Sequence, residues 1–203
     1  VDFASGPGVV NAMDRATIYL PRATMGIVGM GGIGLEVARR ASAFGMTIRG
    51  VDRHPDRIEK PDFVDRIEGV DRLDDLLAWS DFVVIAAPHT PETERLFDAG
   101  RLARMRPSSY LVNIGRGAIV VLDDLVAALR AGTLAGAALD VYEVEPLPED
   151  HPLWGFPNVI LTPHTAGYSP IVAERHRALL VDNLGRFARG EPLRNAVDKA
   201  LWF

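Results

Sequence analysis

The 203-residue sequence predicts a doubly wound α/β fold, in which helices cover both faces of a parallel sheet. From Met25 onward, short apolar segments alternate with segments of helical periodicity, as in repeated strand–helix–strand units. The apolar segment 81–86 is continuous rather than alternating, which is typical of a strand buried on both faces. A glycine-rich turn over 29–34 joins the first predicted strand to the first predicted helix.

The apolar pattern places six strands and three helices along the chain. The strands are predicted at 25–28, 47–51, 81–86, 110–113, 137–140 and 159–161. The helices are predicted at 33–44, 123–131 and 172–188, and the first two stop at glycines, which commonly end helices. Each helix carries an apolar stripe that is expected to face the core. The stripes are Ile33, Val37, Ala41 and Phe44 in the first helix, Leu125, Val126 and Leu129 in the second, and Leu179, Leu180, Leu184 and Phe187 in the third.

Composition and charge exclude several classes of protein. The net charge of −5, with 22 basic residues spread along the chain, argues against nucleic acid as a partner. No apolar run approaches the roughly 20 residues that cross a bilayer, and the first segment does not resemble a signal peptide. The absence of cysteine excludes disulfides, thiolate catalysis and cysteine-ligated metals. A cytoplasmic protein without a membrane partner is therefore expected.

The turn over 29–34 reads Gly-Met-Gly-Gly-Ile-Gly, the spacing of a loop that binds phosphates. Gly29 allows the tight turn, Gly31 lets the backbone approach a diphosphate, and Gly34 lets the helix pack against the strand. The start of the helix then offers N–H groups and a positive dipole end to the phosphates. A purely structural turn is the alternative, but the strand–turn–helix context favours a dinucleotide.

An acidic residue, Asp52, ends the second predicted strand, 18 residues after Gly34. A carboxylate in this place accepts hydrogen bonds from both ribose hydroxyls and repels a 2′-phosphate. The sequence therefore predicts NAD as the cofactor. NADP stays open as an alternative, because Arg53 follows directly and would engage a 2′-phosphate if Asp52 turned away.

The chain is expected to divide into three parts. A lead-in over 1–22 has no convincing periodicity, and the Gly-Pro-Gly sequence at 6–8 interrupts any element there. The dinucleotide-binding domain is expected over 23–167, and the C-terminal helix with its tail over 168–203. Within the domain, four prolines make 145–157 a long ordered loop rather than a helix.

Three polar residues follow strand ends, where ligands bind in open α/β sheets. Arg116 lies between two glycines and has room for a bidentate contact with a carboxylate. His164 follows the last predicted strand, and the ordinary histidine pKa of about 6.5 suits proton exchange near neutrality. Glu145 follows the strand at 137–140, and a carboxylate beside an imidazole fixes the orientation of the ring and raises its pKa.

Each of these residues also has an ordinary structural explanation. An arginine between glycines is often a surface turn residue, and a histidine after proline is often a loop residue. Glu145 also fits a solvated acidic loop, together with Glu143, Glu149 and Asp150. Metal binding is not expected, because this loop lacks clustered histidines.

Five motifs in order resemble those of the D-isomer-specific 2-hydroxyacid dehydrogenases, over about residues 24–189. They are the segments 24–34 (TMGIVGMGGIG), 88–93 (PHTPET), 113–117 (NIGRG), 136–146 (GAALDVYEVEP) and 162–164 (TPH). Glyoxylate/hydroxypyruvate reductases, phosphoglycerate dehydrogenases, D-lactate dehydrogenases and formate dehydrogenases share this pattern. The resemblance implies a Rossmann domain and, in addition, a remnant of a second domain that binds the substrate.

The resemblance implies a role for each matching residue. Arg116 would hold the substrate carboxylate and polarise its carbonyl, His164 would exchange the proton, and Glu145 would be the partner of His164. Asp140 would support these three residues. Glu143 is still interpreted as a residue of a solvated acidic loop. Cofactor contacts are implied for Gly29, Gly31, Gly32, Ile33, Gly34, Asp52, Pro88, Thr90, Thr93, Ile114, Gly115, Arg116, Asp140 and His164.

Two features depart from the family pattern. Gly32 stands where the family commonly has a basic residue, so one phosphate contact is expected to be missing. Family members carry most of a substrate domain and a long dimer-forming helix before the cofactor loop, whereas 23 residues precede it here. The N-terminal substrate half is therefore expected to be missing, and a homodimer is expected for a full-length chain. An exposed apolar stripe on the C-terminal helix would then favour association with another chain.

The leading hypothesis is an NAD-dependent oxidoreductase that interconverts a small D-2-hydroxy acid and its 2-keto acid, with Arg116, Glu145 and His164 as catalytic residues. The alternative is a module that binds NAD(H) without chemistry, either an impaired remnant or a dinucleotide sensor similar to the corepressors that share this architecture. A weaker third alternative is a methyl-donor or flavin domain, in which Arg116 and His164 would be idle. The expected partners are small 2-hydroxy and 2-keto acids.

Overall fold

The computed structural model describes residues 17–199, and in this part of the chain seven parallel strands form one sheet. The spatial order of the strands is β3-β2-β1-β4-β5-β6-β7. Their bounds are β1 Thr24–Val28, β2 Thr47–Asp52, β3 Arg66–Gly69, β4 Phe82–Ile85, β5 Tyr110–Asn113, β6 Gly136–Leu139 and β7 Val159–Leu161. The predicted parallel α/β fold is confirmed. Most of the predicted lead-in, including the glycines and proline at 6–8, lies outside the described residues.

Five α-helices connect or follow the strands in the described range. They are α1 Gly32–Ala43, α2 Leu73–Trp79, α3 Ala99–Leu102, α4 Leu122–Arg130 and α5 Val172–Ala188. The bounds of α1, α4 and α5 lie within one residue of the predicted ones. The proline-rich loop over 145–157 is irregular as predicted, apart from the 3₁₀ turn Pro152–Gly155.

Three elements, β3, α2 and α3, have no clear signal in the sequence. β3 forms one edge of the sheet and is only partly buried, with Ile67 as its one apolar side chain, so it lacks the apolar run of the central strands. α2 and α3 have seven and four residues, which is too short for a helical period to stand out.

The direction in which strands are added reverses between β1 and β4. From β1 the chain continues to β2 and β3 on one side, and from β4 it continues to β5, β6 and β7 on the other. The loops after β1 and β4 therefore border a crevice at the carboxyl ends of the strands, where such folds bind ligands. The two loops are in close contact, because a Cβ on Gly29 would lie 2.7 Å from the Cα of Ala87.

Apolar residues fill both faces of the sheet. On one face, Ile27 and Ile48 pack with Ala38 of α1. On the other face, Val28 packs in a cluster that includes Leu125 of α4. The neighbours Ile27 and Val28 belong to different clusters because successive side chains of a strand point to opposite faces. The sheet is thus covered on both sides, as a doubly wound fold requires.

The apolar stripe predicted for the first helix is wrong at two of its four positions. Ile33 and Phe44 are 60% and 61% exposed, whereas Ala41 is buried. The buried face of α1 consists of the small residues Gly34, Ala38 and Ala41. The closest approach is at Gly34, where a Cβ would overlap the carbonyl oxygen of Gly29, so small residues lie at the centre of the contact face. Periodicity alone does not show this distance.

The inward stripe predicted for the C-terminal helix is also wrong. No residue of α5 is buried, and Leu180, Leu184 and Phe187 are 61%, 61% and 77% exposed. Periodicity identifies the apolar face of a helix but not the surface that covers it. In the described part of the chain, these three side chains form an exposed apolar stripe.

Replacing Gly34 with alanine is expected to destabilise the protein by about 1–3 kcal/mol, because a Cβ at this position would overlap the carbonyl oxygen of Gly29. Gly155→Ala is the matched control, since a Cβ at Gly155 meets no atom within 4 Å. The measurement is the free energy of unfolding from urea titrations of the wild-type protein and both variants. Equal stability of the two variants would contradict the close packing of α1 on β1.

Candidate active site

The residues singled out from the sequence all follow the carboxyl end of a strand. Because the strands are parallel, these ends share one edge of the sheet. The residues along that edge are Asp52 at the end of β2, Gly29, Gly31, Gly32, Ile33 and Gly34 after β1, Pro88, Thr90 and Thr93 after β4, Ile114, Gly115 and Arg116 after β5, Asp140 and Glu145 after β6, and His164 after β7. The fold therefore brings distant motifs to one site.

The glycine turn forms an open cradle at the start of α1. Gly29 has φ of +92°, a conformation that favours glycine, and Gly31 caps the helix without any side-chain hydrogen bond. A Cβ on Gly31 or Gly32 would meet no atom within 4 Å, so open space lies in front of the helix N-terminus. N–H groups and the positive helix end face this space, which suits a diphosphate.

The carboxylate of Asp52 joins the end of β2 to the glycine turn. It accepts the N–H of Met30 at 2.8 Å and the N–H of His54 at 2.9 Å. The neighbouring Arg53 lies 3.6 Å from the carboxylate of Glu92, in the loop after β4. Asp52 is thus fixed beside the cradle, while the guanidinium of Arg53 already has an acidic partner.

Glu145 and His164 form a hydrogen-bonded pair. Oε2 of Glu145 lies 2.7 Å from Nδ1 of His164, and Oε1 accepts the N–H of Tyr142 at 3.1 Å. The hydrogen bond with His164 is the main reason that the pKa of Glu145 is lowered from its ordinary value, and the charge of Arg116 adds to this effect. Nδ1 of His164 is therefore hydrogen-bonded to an ionised carboxylate, which leaves Nε2 as the ring nitrogen available for proton exchange.

The buried Asp140 holds the loop that carries His164. Its carboxylate accepts hydrogen bonds from Oγ1 of Thr162, from the N–H of Thr165 at 2.9 Å and from the N–H of Ala166 at 3.0 Å. Burial by itself raises the pKa of a carboxyl group, but these hydrogen bonds outweigh it and lower the pKa of Asp140. The carbonyl of Asp140 also accepts the N–H of His164 at 2.8 Å. This network maintains the left-handed φ of +53° at His164, which is unfavourable for a residue with a side chain.

The side chain of Asn113 shapes the turn that presents Arg116. It donates to the carbonyl of Arg116 at 3.0 Å and accepts the N–H of Gly115 at 3.0 Å. The guanidinium of Arg116 donates to the carbonyl of Gly115 at 2.7 Å. The structure thus joins Glu145 and His164 directly, whereas Arg116 stands apart from them and acts on Glu145 only through its charge.

The loop after β4 is closed by the side chain of Thr93. Its Oγ1 donates to the carbonyl of Pro88 at 2.8 Å and accepts the N–H of Thr90 at 2.8 Å. Thr90 is buried, while Pro88 is exposed beside the crevice. The hydrogen bonds give this loop a fixed shape next to the glycine turn.

Sequence reasoning missed two residues that shape the site. The first is Asn113, although an asparagine that ends a strand before a glycine turn is a usable signal. The second is Glu143, which accepts the N–H of Leu122 at 2.8 Å and lies 3.7 Å from the guanidinium of Arg95. Glu143 therefore caps the start of α4 rather than belonging to a solvated acidic loop. Its partner lies 21 residues away in the sequence, so no local pattern reveals the contact.

Within residues 17–199, no group of three histidine, aspartate or glutamate side chains is arranged to hold a metal ion. The helices of the same range include none whose length and apolar character would allow it to cross a membrane. The functional groups described above are concentrated at the carboxyl edge of the sheet.

Comparison with known proteins identifies the family. Residues 9–166 match the family model described as D-isomer specific 2-hydroxyacid dehydrogenase, NAD binding domain. The chain belongs to this family. The resemblance found in the sequence motifs is thereby confirmed.

Other members of the D-isomer-specific 2-hydroxyacid dehydrogenase family match most of the chain. A glyoxylate reductase of Korarchaeum cryptofilum is 43% identical over 178 residues, which are 87% of this chain and 52% of that protein. A glyoxylate/hydroxypyruvate reductase B of Pectobacterium carotovorum is 44% identical over 177 residues, or 86% of this chain and 54% of that protein. The chain thus spans about half the length of the curated relatives it matches.

A solved structure of the same family has the same fold. It is the D-isomer specific 2-hydroxyacid dehydrogenase of Xanthobacter autotrophicus in complex with NADPH and MES, with a TM-score of 0.86 and 34% sequence identity. The match covers 97% of this chain and 82% of that chain. In this chain, the individual roles of Arg116, Glu145 and His164, the cofactor contacts and the domain boundaries stay predictions.

Replacing Asp140 with asparagine is expected to destabilise the protein by about 1–3 kcal/mol at pH 7, because buried donors lose their charged acceptor. Since the pKa of Asp140 is lowered in the folded state, its ionised form stabilises the fold above the unfolded aspartate pKa of about 3.9. This contribution is lost as the pH falls through the lowered pKa. Urea unfolding at pH 7 and at an acidic pH at which the Asp140 carboxyl is protonated measures both effects.

The exposed Asp150 provides the control, and Asp150→Asn is expected to leave the free energy of unfolding nearly unchanged at both pH values. The difference between wild type and Asp140→Asn should shrink at low pH, where the wild-type carboxylate is itself protonated. A difference that stays constant with pH would show that the charge of Asp140 is not what holds the His164 loop.

Proposed function

We propose that this protein is an NAD(P)-dependent oxidoreductase that interconverts a small D-2-hydroxy acid and its 2-keto acid. The observation that carries the proposal is the 2.7 Å contact between Nδ1 of His164 and the carboxylate of Glu145, at the sheet edge that also presents Arg116 and the glycine cradle. A proton-exchanging ring, a cation for a carboxylate and a dinucleotide cradle are the groups that this reaction needs.

Each of the three side chains would have its own role in the reaction. Arg116 binds the carboxylate of the substrate through its planar guanidinium and polarises the neighbouring carbonyl. His164 delivers a proton from Nε2 to the carbonyl oxygen during reduction and removes it during oxidation. Glu145 fixes the ring orientation through its contact with Nδ1. A nicotinamide cofactor held by the glycine cradle would supply the hydride for reduction of the carbon that bears this oxygen, and would accept it in the reverse reaction.

Small 2-keto acids are the proposed substrates. The relatives from Korarchaeum cryptofilum and Pectobacterium carotovorum are named glyoxylate reductase and glyoxylate/hydroxypyruvate reductase. Glyoxylate and hydroxypyruvate each carry a carboxylate next to a carbonyl, which matches a cation beside a proton donor. These two acids are therefore the first to test. A cytoplasmic location, a homodimer and the division into parts at residues 22 and 167 are proposed with the enzyme and await their own measurements.

A second candidate function is a module that binds NAD(H) without turnover. It is favoured by the openness of the site in the described residues, since the side chain of His164 is 46% exposed and that of Glu145 is 37% exposed. A reaction that transfers a hydride benefits from the exclusion of water. NADH binding without consumption of NADH across a panel of 2-keto acids would support this candidate over the enzyme.

Replacing His164 with alanine is expected to lower kcat for glyoxylate or hydroxypyruvate reduction about 100-fold to 10,000-fold, because the proton donor is lost. The dissociation constant of NADH should change little, since the glycine cradle is intact. Steady-state kinetics and NADH fluorescence titrations measure the two quantities separately.

His176→Ala is the matched control, because His176 is exposed on α5 and lies outside the site. The control should keep the wild-type kcat. If His164→Ala turns over both acids at the wild-type rate, the assignment of His164 as the acid–base group is wrong.

NADH is expected to bind more tightly than NADPH, because the carboxylate of Asp52 stands beside the cradle and repels a 2′-phosphate. The pairing of Arg53 with Glu92 at 3.6 Å has the same effect, since the guanidinium that follows Asp52 in the chain already has an acidic partner. Replacing Asp52 with serine should reduce the difference between the dissociation constants of NADH and NADPH. Fluorescence titrations with both reduced cofactors test this, and tighter binding of NADPH by the wild-type protein would overturn it.

A further inference from the structure

We propose that Tyr142 is a positioning residue that holds together the three chain segments carrying His164, Glu145 and Arg116. The proposal rests on the function proposed above and adds a residue to which neither the sequence motifs nor the comparisons give a role. Each part of Tyr142, its hydroxyl, its N–H and its carbonyl, contacts a different one of these segments.

The hydroxyl of Tyr142 acts on the His164 loop. It lies 2.9 Å from the carbonyl oxygen of Thr162 and 3.2 Å from that of Leu139. The contact with the Thr162 carbonyl is the shorter of the two, so the hydroxyl acts mainly on the segment that carries His164. That same carbonyl lies 3.1 Å from the N–H of His164. The phenol is thus one hydrogen bond away from the backbone of the acid–base residue.

The N–H of Tyr142 acts on Glu145. It donates to Oε1 of Glu145 at 3.1 Å, while Oε2 of the same carboxylate holds Nδ1 of His164 at 2.7 Å. The Glu145 carboxylate is therefore held from both sides. Tyr142 reaches the imidazole by two routes, through the carboxylate and through the Thr162 carbonyl.

The carbonyl of Tyr142 acts on the segment of Arg116. A Cβ on Gly117, the residue after Arg116, would overlap the carbonyl of Tyr142, so the two backbones are in direct contact. Glycine at 117 allows this approach. The position of the Arg116 turn relative to the Glu145–His164 pair is therefore set against the backbone of Tyr142.

The environment of Tyr142 keeps its hydroxyl in the donating form. The residue is only 6% exposed, and burial is the main cause that raises the pKa of the phenol. The ring also packs in the apolar cluster of the sheet. A phenylalanine would fill the same space, so substitution by phenylalanine isolates the contribution of the hydroxyl from that of the ring.

The test is Tyr142→Phe, with Tyr110→Phe as the matched control. Tyr110 lies at the start of β5, away from the carboxyl edge, and its ring stacks on Phe82 with the ring centroids 5.6 Å apart. Tyr142→Phe is expected to lower kcat for hydroxypyruvate reduction about tenfold, because the imidazole and its carboxylate lose their fixed geometry. KM for NADH should change less than about twofold, since the cradle is not altered. Tyr110→Phe should change neither constant.

A second readout does not depend on turnover. The titration of the Glu145 carboxyl is followed by ¹³C NMR on the wild-type protein and on both tyrosine variants, with Glu145→Gln used to assign the signal. In Tyr142→Phe the pKa of Glu145 should rise toward its ordinary value, because its contact with His164 loosens. In Tyr110→Phe it should match the wild type.

The outcomes separate the two proposals. If the Glu145 titration is unchanged in Tyr142→Phe, the positioning role is overturned, even if the melting temperature falls. A raised Glu145 pKa together with a kcat loss at constant KM supports it. If the wild-type protein binds NADH but reduces neither acid, the proposed function fails, and the Glu145 titration still decides whether Tyr142 positions the pair.

Discussion

Parallel pairing of the strands is the constraint on which the rest of this protein depends. It places residues separated by more than 100 positions, such as Gly29 and His164, along the same edge of the sheet. The pairing is stable because both faces of the sheet are covered by apolar clusters. No single loop forms the site. It is formed by loops that follow different strands, and each of these loops contributes residues at the carboxyl end of its strand.

Acidic side chains hold these loops in place by accepting backbone N–H groups. Asp52 binds the glycine turn, Asp140 binds the His164 loop, Glu143 binds the start of α4 and Glu145 binds Tyr142. A carboxylate offers several acceptor positions, so one side chain can fix a whole turn. Among these four side chains, only the carboxylate of Glu145 contacts the imidazole of the proposed acid–base residue, so two glutamates two positions apart have different contacts.

The sequence predicted the central strands and the glycine turn because their signals are local, and its motifs implied the pairing of Glu145 with His164, whereas the role of Arg116 stays a prediction. It did not predict β3 or α2, because an edge strand with a single apolar side chain and a helix of two turns carry little periodic information. It also misassigned the environment of Ile33 and Phe44. Those side chains continue the apolar pattern of the helix, but the centre of its contact face consists of the small residues Gly34, Ala38 and Ala41.

By itself the sequence determined the fold class, the family and the types of residue at the site, since these depend on spacing and on short motifs. Tertiary structure decided the contacts that no motif implies. It gave Glu143 a hydrogen bond with the start of α4 and put Tyr142 in contact with three segments at once, and it set the 2.7 Å distance of the Glu145–His164 pair that the sequence had implied. The physical reason is that a hydrogen bond between two loops forms only when its two atoms are positioned to within a few tenths of an ångström. Such distances follow from how strands align and helices pack, and no spacing along the chain encodes them.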